Sequence, residues 1–355
     1  MPVSLDAPGD RYVFGLDATY SLGRNLSGVG VYSRHMMHGL ASAHPRHRFA
    51  YYYRSHRFLR SLQDAVPRNA RRRLLRGMPS VDLFHALNQR VEQRARKTVA
   101  TFHDLFVITG DYSSPDFRAR FTEQAREAAH NSDAIIAVSQ HTADQLEQLL
   151  GVERSRIHVV PHGVAIPVQQ SNAARENIIL FIGAIQKRKN VARLVRAFER
   201  VPADWRLILA GASDGYGAAE ELAAVEASPR RAGIDVLGYV TDADRQSLYQ
   251  RARVFAFPSL DEGFGMPLLE AMAYGVPVVT SRASAMPEVA GDAALLVNPF
   301  DEDELAEALV RLTSEEALRA RLTQAGLTRA SQFRWEDAVA KTWRVYQTLL
   351  PGLGD

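Results

Sequence analysis

Along its length the chain alternates short runs of β-branched and aromatic residues with stretches of helical periodicity, a pattern that parallel sheets flanked by helices satisfy. In the first half the candidate strands are YVFGLDA (12 to 18), FAYYY (49 to 53), VDLFHA (81 to 86), TVATFHD (98 to 104), AIIAVS (134 to 139) and IHVVPHG (157 to 163). The second half repeats the scheme with NIILFIGA (177 to 184), RLILAG (206 to 211), IDVLGY (234 to 239), VFAFPS (254 to 259), PVVTS (277 to 281) and ALLVN (294 to 298). Between the halves, VAIPVQQSNAARE (164 to 176) is polar and unpatterned, as expected of a linker. At 355 residues there is enough chain for two full cores. The expected fold class is α/β, with two doubly wound, Rossmann-like domains at residues 1 to 165 and 177 to 332 and a linker at 166 to 176. Ligands of such sheets bind outside the carboxyl ends of the strands, so the expected active site is a cleft that the two domains face.

Composition narrows the chemistry. The absence of cysteine excludes disulfides, thiolate metal sites and cysteine nucleophiles. No apolar run approaches the roughly 18 residues of a spanning helix, and the N-terminus carries acids where a signal peptide carries bases, so the expected location is cytoplasmic. The net charge of +3 is unevenly spread: from Pro45 to Arg76 ten arginines face one acid, Asp64. Phe58, Leu59, Leu62 and Val66 recur at helical spacing among those arginines, and Leu74 and Leu75 follow Arg71, Arg72 and Arg73. Each basic segment is therefore expected to expose cations beside an apolar stripe, as a peripheral contact with an anionic membrane surface requires; the alternative is a solvated basic face. Nucleic acid is not an expected partner, because no aromatic platform or groove-reading motif accompanies the charge.

Four loops carry candidate chemistry. SLGRNLSGVGVY holds Gly28 and Gly30 ahead of a helical pattern, which fits a tight structural turn as well as a phosphate contact. TFHDLF puts His103 at a strand end, a position that His85 and His162 share. GAIQKRKNVARLVRAF places Lys187, Arg188 and Lys189 before a helix, against its dipole, so a negative partner is expected. A diphosphate suits that role, with Arg188 giving planar bidentate bonds and Lys189 a point charge. The fourth loop, DEGFGMPLLEAMAYG (261 to 275), sets Glu262 in a glycine-rich turn and Glu270 in a helix opened by Pro267 and closed by Gly275. Glu270 lies about 5 Å along the axis from Pro267, so both carboxylates can face one ligand at the helix N-terminus. A sugar nucleotide offers hydroxyls for carboxylates and phosphate for the helix end. Acids that merely complement the helix dipole are the bland alternative. The D-x-D pattern at Asp301 and Asp303 opens a helical stretch and reads as a cap. HMMH (35 to 38) and HPRH (44 to 47) have chelating spacing but no further ligands.

FPSLDEGFGMPLLEAMAYGVPVVTS together with GAIQKRKN resembles the C-terminal domain of retaining glycosyltransferases of family 4, which have the GT-B fold. Glu262 and Glu270 match the family spacing of two glutamates, with Gly263, Phe264, Gly265 and Pro267 in register. SGVGVY, LFHALN, TFHDLF, DAIIAVSQHTADQL, VVPHGV, LGYVTDADRQSLYQRARVFAFPSL and FRWEDAVAKTWRVYQTLL extend the resemblance over nearly the whole chain. The RKN version is similar to bacterial mannosyltransferase-like members that build surface polysaccharides.

The resemblance implies that Glu270 holds the ribose hydroxyls and that Arg188 and Lys189 neutralise the diphosphate near Gly183. Glu262 would touch the donor sugar, with the backbone of Phe264, Gly265 and Met266 nearby. His103 would meet that sugar, Gly28 and Gly30 would lie beside the phosphates, and Gly238, Tyr239 and Val240 would line the base. Residues 333 to 355 would form a helix crossing back to the N-terminal domain. It further implies transfer of a hexose with retention from GDP-mannose, or next UDP-glucose, to a glycan or lipid-linked acceptor, with no metal or other cofactor required. One departure stands out: many members have Arg directly after Gly183, where this chain has Ala184, so the phosphate charge falls on Arg188 and Lys189. A phosphorylase, a nucleotide-sugar epimerase and a non-catalytic sugar-nucleotide-binding protein are the competing readings.

Overall fold

The computed structural model describes residues 11–23, 26–77, 79–91, 94–167 and 174–354. It separates into two compact units, one of residues 1–105, 119–163 and 335–355 and the other of residues 106–118 and 164–334.

The N-terminal unit holds a parallel sheet of seven strands: β1 Val13–Asp17, β2 Arg48–Tyr53, β3 Ala70–Leu74, β4 Leu83–Ala86, β5 Thr98–Phe102, β6 Ala134–Ala137 and β7 Ile157–Val159. Their order is β3-β2-β1-β4-β5-β6-β7. The central strands β4, β5 and β6 are buried at every residue, which is why they lack the regular polar alternation of a strand with one solvated face. The helix Gly28–Ala43 joins β1 to β2, and the terminal helix Trp335–Leu349 belongs to this unit, where Tyr346 stacks on Phe14 and Trp343 packs against it at a tilt.

The C-terminal unit holds six parallel strands: β8 Glu176–Ile182, β9 Arg206–Ala210, β10 Ile234–Gly238, β11 Ala252–Phe257, β12 Val278–Ser281 and β13 Ala294–Val297. Their order is β10-β9-β8-β11-β12-β13. Phe181, Phe255 and Phe257 stack at the centre of this core. All twelve strands expected from the sequence are present, within three or four residues at their ends.

Three features differ from expectation. The arginine-rich stretch divides into a seven-residue helix, Ser55–Ser61, and a thirteenth strand, β3, at the sheet edge. Strand alternation, not a helical stripe, therefore sorts its cations. Arg71 and Arg73 are exposed opposite Ala50 and Tyr52, whereas Arg72 turns to the other face and donates to the carbonyls of Ser61, at 2.9 Å, and Asp64. Residues 106–118 do not stay with the N-terminal sheet but cluster with the C-terminal unit. There Phe106 packs under Arg188, Thr109 donates to Asp261 at 2.6 Å and Asp111 pairs with Lys187 at 2.9 Å. Of the expected linker, residues 168–173 lie outside the described residues, and Glu176 already belongs to β8.

Candidate active site

In the C-terminal sheet the strand order reverses between β8 and β11, and the loops leaving such a switch point diverge to open a crevice at the strand ends. The charged residues lie on those two loops. β8 leads through Gly183 into the turn Lys187–Lys189, and β11 leads into the segment that carries Glu262.

Both cations reach the same carboxylate oxygen. Arg188 Nη1 is 2.8 Å from Glu262 Oε1, and Lys189 Nζ is hydrogen-bonded to that atom too. Glu262 is 7 % and Lys189 6 % exposed, so the pairs are screened little by water. Burial alone would raise the Glu262 pKa, but Arg188 and Lys189 outweigh it and hold the carboxyl at about 2. Arg188 also donates to the Asp261 carbonyl at 2.9 Å and lies 4.1 Å over the Phe106 ring; Lys189 lies 4.6 Å from the centre of the Phe257 ring.

The negative partner that the basic turn was expected to need is thus supplied partly by the chain itself. Glu262 takes Arg188 and Lys189, Asp111 takes Lys187, and Glu221 accepts the Ala192 N–H at 2.7 Å in the first turn of the helix Val191–Phe198.

Two residues with left-handed backbone fix these loops. Asn190, at φ 61°, donates to the carbonyls of Pro258 at 3.0 Å and Pro299 at 2.7 Å. Ser284, at φ 54°, accepts the Glu262 N–H at 3.1 Å. Such conformations are costly outside glycine and concentrate at functional sites. Leu260 N–H closes the assembly on the Arg188 carbonyl at 2.7 Å.

The helix Met266–Ala273 follows directly, with Pro267 in its first turn. Gly265 precedes it at φ 93°, and a Cβ there would come within 2.4 Å of Met286 Cε, so only glycine fits. Phe264 is buried against Phe333. At the far end Gly275, at φ 68°, donates to the Met272 carbonyl and Val276 to that of Ala271, each at 2.9 Å, closing the helix as a glycine C-cap does. Glu270, on this helix, accepts from Tyr249 OH at 3.0 Å and lies 3.5 Å from Arg245. Burial pushes its carboxyl up, with Arg245 and Tyr249 opposing. The two glutamates therefore sit in different company: Glu262 with two cations, Glu270 with a phenol and one arginine. Arg245 and Tyr249 were not singled out from the sequence. Their signal is helical spacing, since Asp242, Arg245 and Tyr249 fall at i, i+3 and i+7 of the helix Asp242–Arg251.

Gly183 N–H bonds the Ala210 carbonyl at 2.9 Å, and Ala184 beside it is exposed. Gly238, at φ 66°, accepts from Gly211 N–H at 2.8 Å; Tyr239 is 54 % exposed and Val240 half-buried. Asp301 caps the helix Glu302–Ser314 by accepting the Glu304 N–H at 3.0 Å, and Asp303 pairs with Arg200 at 2.5 Å. The D-x-D pattern is a helix start.

The N-terminal unit holds the remaining candidates. Gly28 opens the helix Gly28–Ala43, whose N-cap Ser27 accepts the Gly30 N–H at 3.3 Å. A Cβ on Gly30 would meet the Tyr20 carbonyl at 2.8 Å, so this glycine has a packing role. His103 is buried just beyond β5 and donates Nε2–H to the Leu87 carbonyl at 2.9 Å. Burial lowers its pKa to about 4, that of His85 to about 3, and that of His162 well below its ordinary value, so all three are neutral at pH 7. His35 stacks on Trp335 at 4.2 Å and His44 on Trp343 at 3.4 Å, while His47 Nδ1 accepts the Tyr12 N–H at 3.3 Å. The HMMH and HPRH spacings serve packing. Among the described residues no three His, Cys, Asp or Glu side chains gather as a metal site, and no helix is long and apolar enough to cross a membrane.

Comparison with known proteins places these features in a lineage. The family model for glycosyl transferases group 1 matches residues 165–329, and that for glycosyltransferase family 4 matches residues 26–166. The chain is similar to O-antigen chain mannosyltransferase B of Escherichia coli, with 33% identity over 283 residues that cover 75% of this chain and 74% of the relative. It is 34% identical over 239 residues to MMP alpha-(1->4)-mannosyltransferase of Mycolicibacterium hassiacum, covering 64% of this chain and 57% of that one. Among solved structures, sucrose-phosphate synthase from Thermosynechococcus elongatus aligns with a TM-score of 0.78 at 21% identity, over 96% of this chain and 99% of the other.

Proposed function

We propose that this chain, which belongs to glycosyltransferase family 4 with the GT-B fold, moves a hexose, mannose before glucose, from a nucleotide diphosphate sugar to a glycan or lipid-linked acceptor with retention of anomeric configuration. The observation that carries this reading is the convergence of Arg188, Lys189 and Glu262 on the two loops that flank the sheet's switch point. Mannose is favoured by the similarity to two proteins named as mannosyltransferases, and surface polysaccharide synthesis by the one named for the O-antigen chain.

The acceptor hydroxyl oxygen attacks the anomeric carbon on the face that the diphosphate leaves. The bond from that carbon to the phosphate oxygen breaks, and a leaving-group oxygen takes the hydroxyl proton, so no protein base is needed. Arg188, Lys189 and the N–H groups at the start of the helix Met266–Ala273 meet the charge that develops on the diphosphate, beside Gly183 and without a metal ion. Glu262, ionised and buried, accepts from hydroxyls of the transferred sugar, and His103 serves the same sugar. Glu270 accepts from the ribose, and the exposed face of Tyr239 with Gly238 and Val240 receives the base. Gly28 and Gly30 belong to the phosphate side of this assignment.

The basic stretch is proposed to meet an anionic membrane surface from the cytoplasmic side. Arg11, Arg48, Arg68, Arg71 and Arg73 are exposed around one hollow of about 370 Å³, and among the described residues none has a carboxylate partner. Each arginine near such a surface contributes on the order of 1 kcal/mol, which gives reversible, salt-sensitive attachment.

The test is a panel of nucleotide sugars incubated with the purified chain, with released nucleotide diphosphate as the readout. Slow hydrolysis of GDP-mannose, unchanged in excess EDTA, is expected. Release from no nucleotide sugar contradicts transferase activity, and loss on chelation restored by magnesium contradicts the metal-free mechanism.

A further inference from the structure

A buried chain of polar side chains runs through the N-terminal unit to His103. Tyr346 OH, on the terminal helix Trp335–Leu349, is 2.7 Å from His85 Nδ1; His85 Nε2 is 2.8 Å from Thr101 Oγ1; and Thr101 Oγ1 is 2.9 Å from Tyr32 OH. All four residues are fully buried. Neutral His85 has one N–H and one lone pair, so it donates to one of its two neighbours and accepts from the other. Thr101 Oγ1, with one hydrogen and two lone pairs, bonds both His85 and Tyr32, and losing any member breaks the series.

The chain ends on a ring that packs against His103. Tyr32 meets the His103 imidazole edge to face, with centroids 4.8 Å apart and planes at 79°, while His162 stacks on His103 at 5.3 Å and 16°. A carbonyl only accepts, so the 2.9 Å contact with Leu87 fixes the His103 proton on Nε2 and leaves Nδ1 as an acceptor.

We infer that Tyr346, Thr101 and Tyr32 are positioning residues for sugar transfer, acting through His103 by holding its imidazole with Nδ1 ready to accept from a hydroxyl of the transferred sugar. This rests on the proposed role of His103 at that sugar. A side chain on the terminal helix then tunes turnover without touching the substrate. The donor should need a hydroxyl that can donate to Nδ1, and a deoxy sugar lacking it should gain nothing from an intact relay.

The experiment measures donor hydrolysis and nucleotide diphosphate affinity for Tyr346→Phe, Thr101→Val and Thr101→Ser, alone and combined with His103→Ala, together with imidazole nitrogen NMR of His103. Tyr346→Phe and Thr101→Val should lower kcat by roughly three- to ten-fold, the effect of losing one buried hydrogen bond. Affinity for the free nucleotide diphosphate should hold, the His103 ring signals should shift as the imidazole loses its fixed orientation while its proton stays on Nε2, and Thr101→Ser should behave as wild type. In the His103→Ala background the same substitutions should do nothing more. If His103→Ala leaves kcat unchanged, the role of His103 at the sugar falls. If His103→Ala lowers kcat but Tyr346→Phe acts equally in both backgrounds, or leaves the His103 signals in place, the relay is overturned while that role stands.

Discussion

Ser284 Oγ accepts the backbone N–H of Glu262 at 3.1 Å, from a residue held at φ 54°. The strained serine and the buried carboxylate lie 22 residues apart in sequence, so the bond sets where the Glu262 loop sits relative to the segment after β12. Ser284→Ala keeps the strain and loses the acceptor; Ser284→Gly relieves the strain and loses it too. Both are expected to lower turnover by roughly ten-fold, and Ser284→Gly should unfold at a higher temperature than Ser284→Ala. Wild-type turnover in both would show that the loop is held without the serine.

Acid should loosen the C-terminal unit at a defined pH. The Glu262 carboxyl is held at about 2 in the fold against an ordinary 4.5. Its contribution is therefore complete above about 4.5 and is lost as pH falls towards 2. Glu262→Gln has no such carboxyl, so the difference in unfolding midpoint between wild type and variant should shrink as pH falls below 4.5. A difference that stays constant from pH 6 to 3 would contradict the ion-paired state.

The N-terminal unit should respond at higher pH. His103, at about 4, and His85, at about 3, bind fewer protons folded than unfolded, where histidine titrates near 6.5, and His162 shifts the same way. Stability from keeping them neutral is complete above about 6.5 and is lost as pH falls through the folded values, at up to about 1.4 kcal/mol per pH unit for each histidine. Trp335 and Trp343 both report on this unit. The denaturant midpoint read from their fluorescence should already fall between pH 6.5 and 5.5; a flat midpoint there would contradict three buried neutral histidines.

The sheet-edge arginines separate binding from stability. Arg71→Gln with Arg73→Gln should weaken sedimentation with anionic liposomes at low salt and leave donor hydrolysis intact. Arg72→Gln should instead lower the unfolding temperature, because Arg72 bonds the carbonyls of Ser61 and Asp64. Wild-type protein that ignores anionic liposomes at low salt would make this face a solvated surface.

How far these features could be read in advance depended on whether the physics was local. The central strands were legible because residues buried on two faces write β-branched and apolar runs without polar alternation, as in AIIA and the IILFI of β8. β3 was not, because ARRRL gives its apolar positions only to Ala70 and Leu74 and its three cations suggest a solvated segment. Glu262, Arg188, Lys189 and Glu270 stood out by charge and spacing. That Lys189 and Glu262 share a bond across 73 residues could not be read, since it exists only once the loops after β8 and β11 meet. Ser284 left no mark either: nothing in a serine announces a left-handed backbone that tertiary contacts impose, whereas an asparagine such as Asn190 is among the non-glycine residues that adopt it most readily.

The division of labour between the two glutamates is tested most directly by titrating free nucleotide diphosphate and measuring kcat in Glu270→Gln and Glu262→Gln side by side, with the nucleotide that supports activity. Glu270→Gln should weaken free-nucleotide binding by roughly ten-fold or more, because the ribose hydroxyls lose their charged acceptor. Glu262→Gln should lower kcat by a comparable or larger factor while free-nucleotide affinity stays within a few-fold, on the tighter side since Arg188 and Lys189 lose their carboxylate. Equal losses of affinity and turnover in both variants would contradict the assignment.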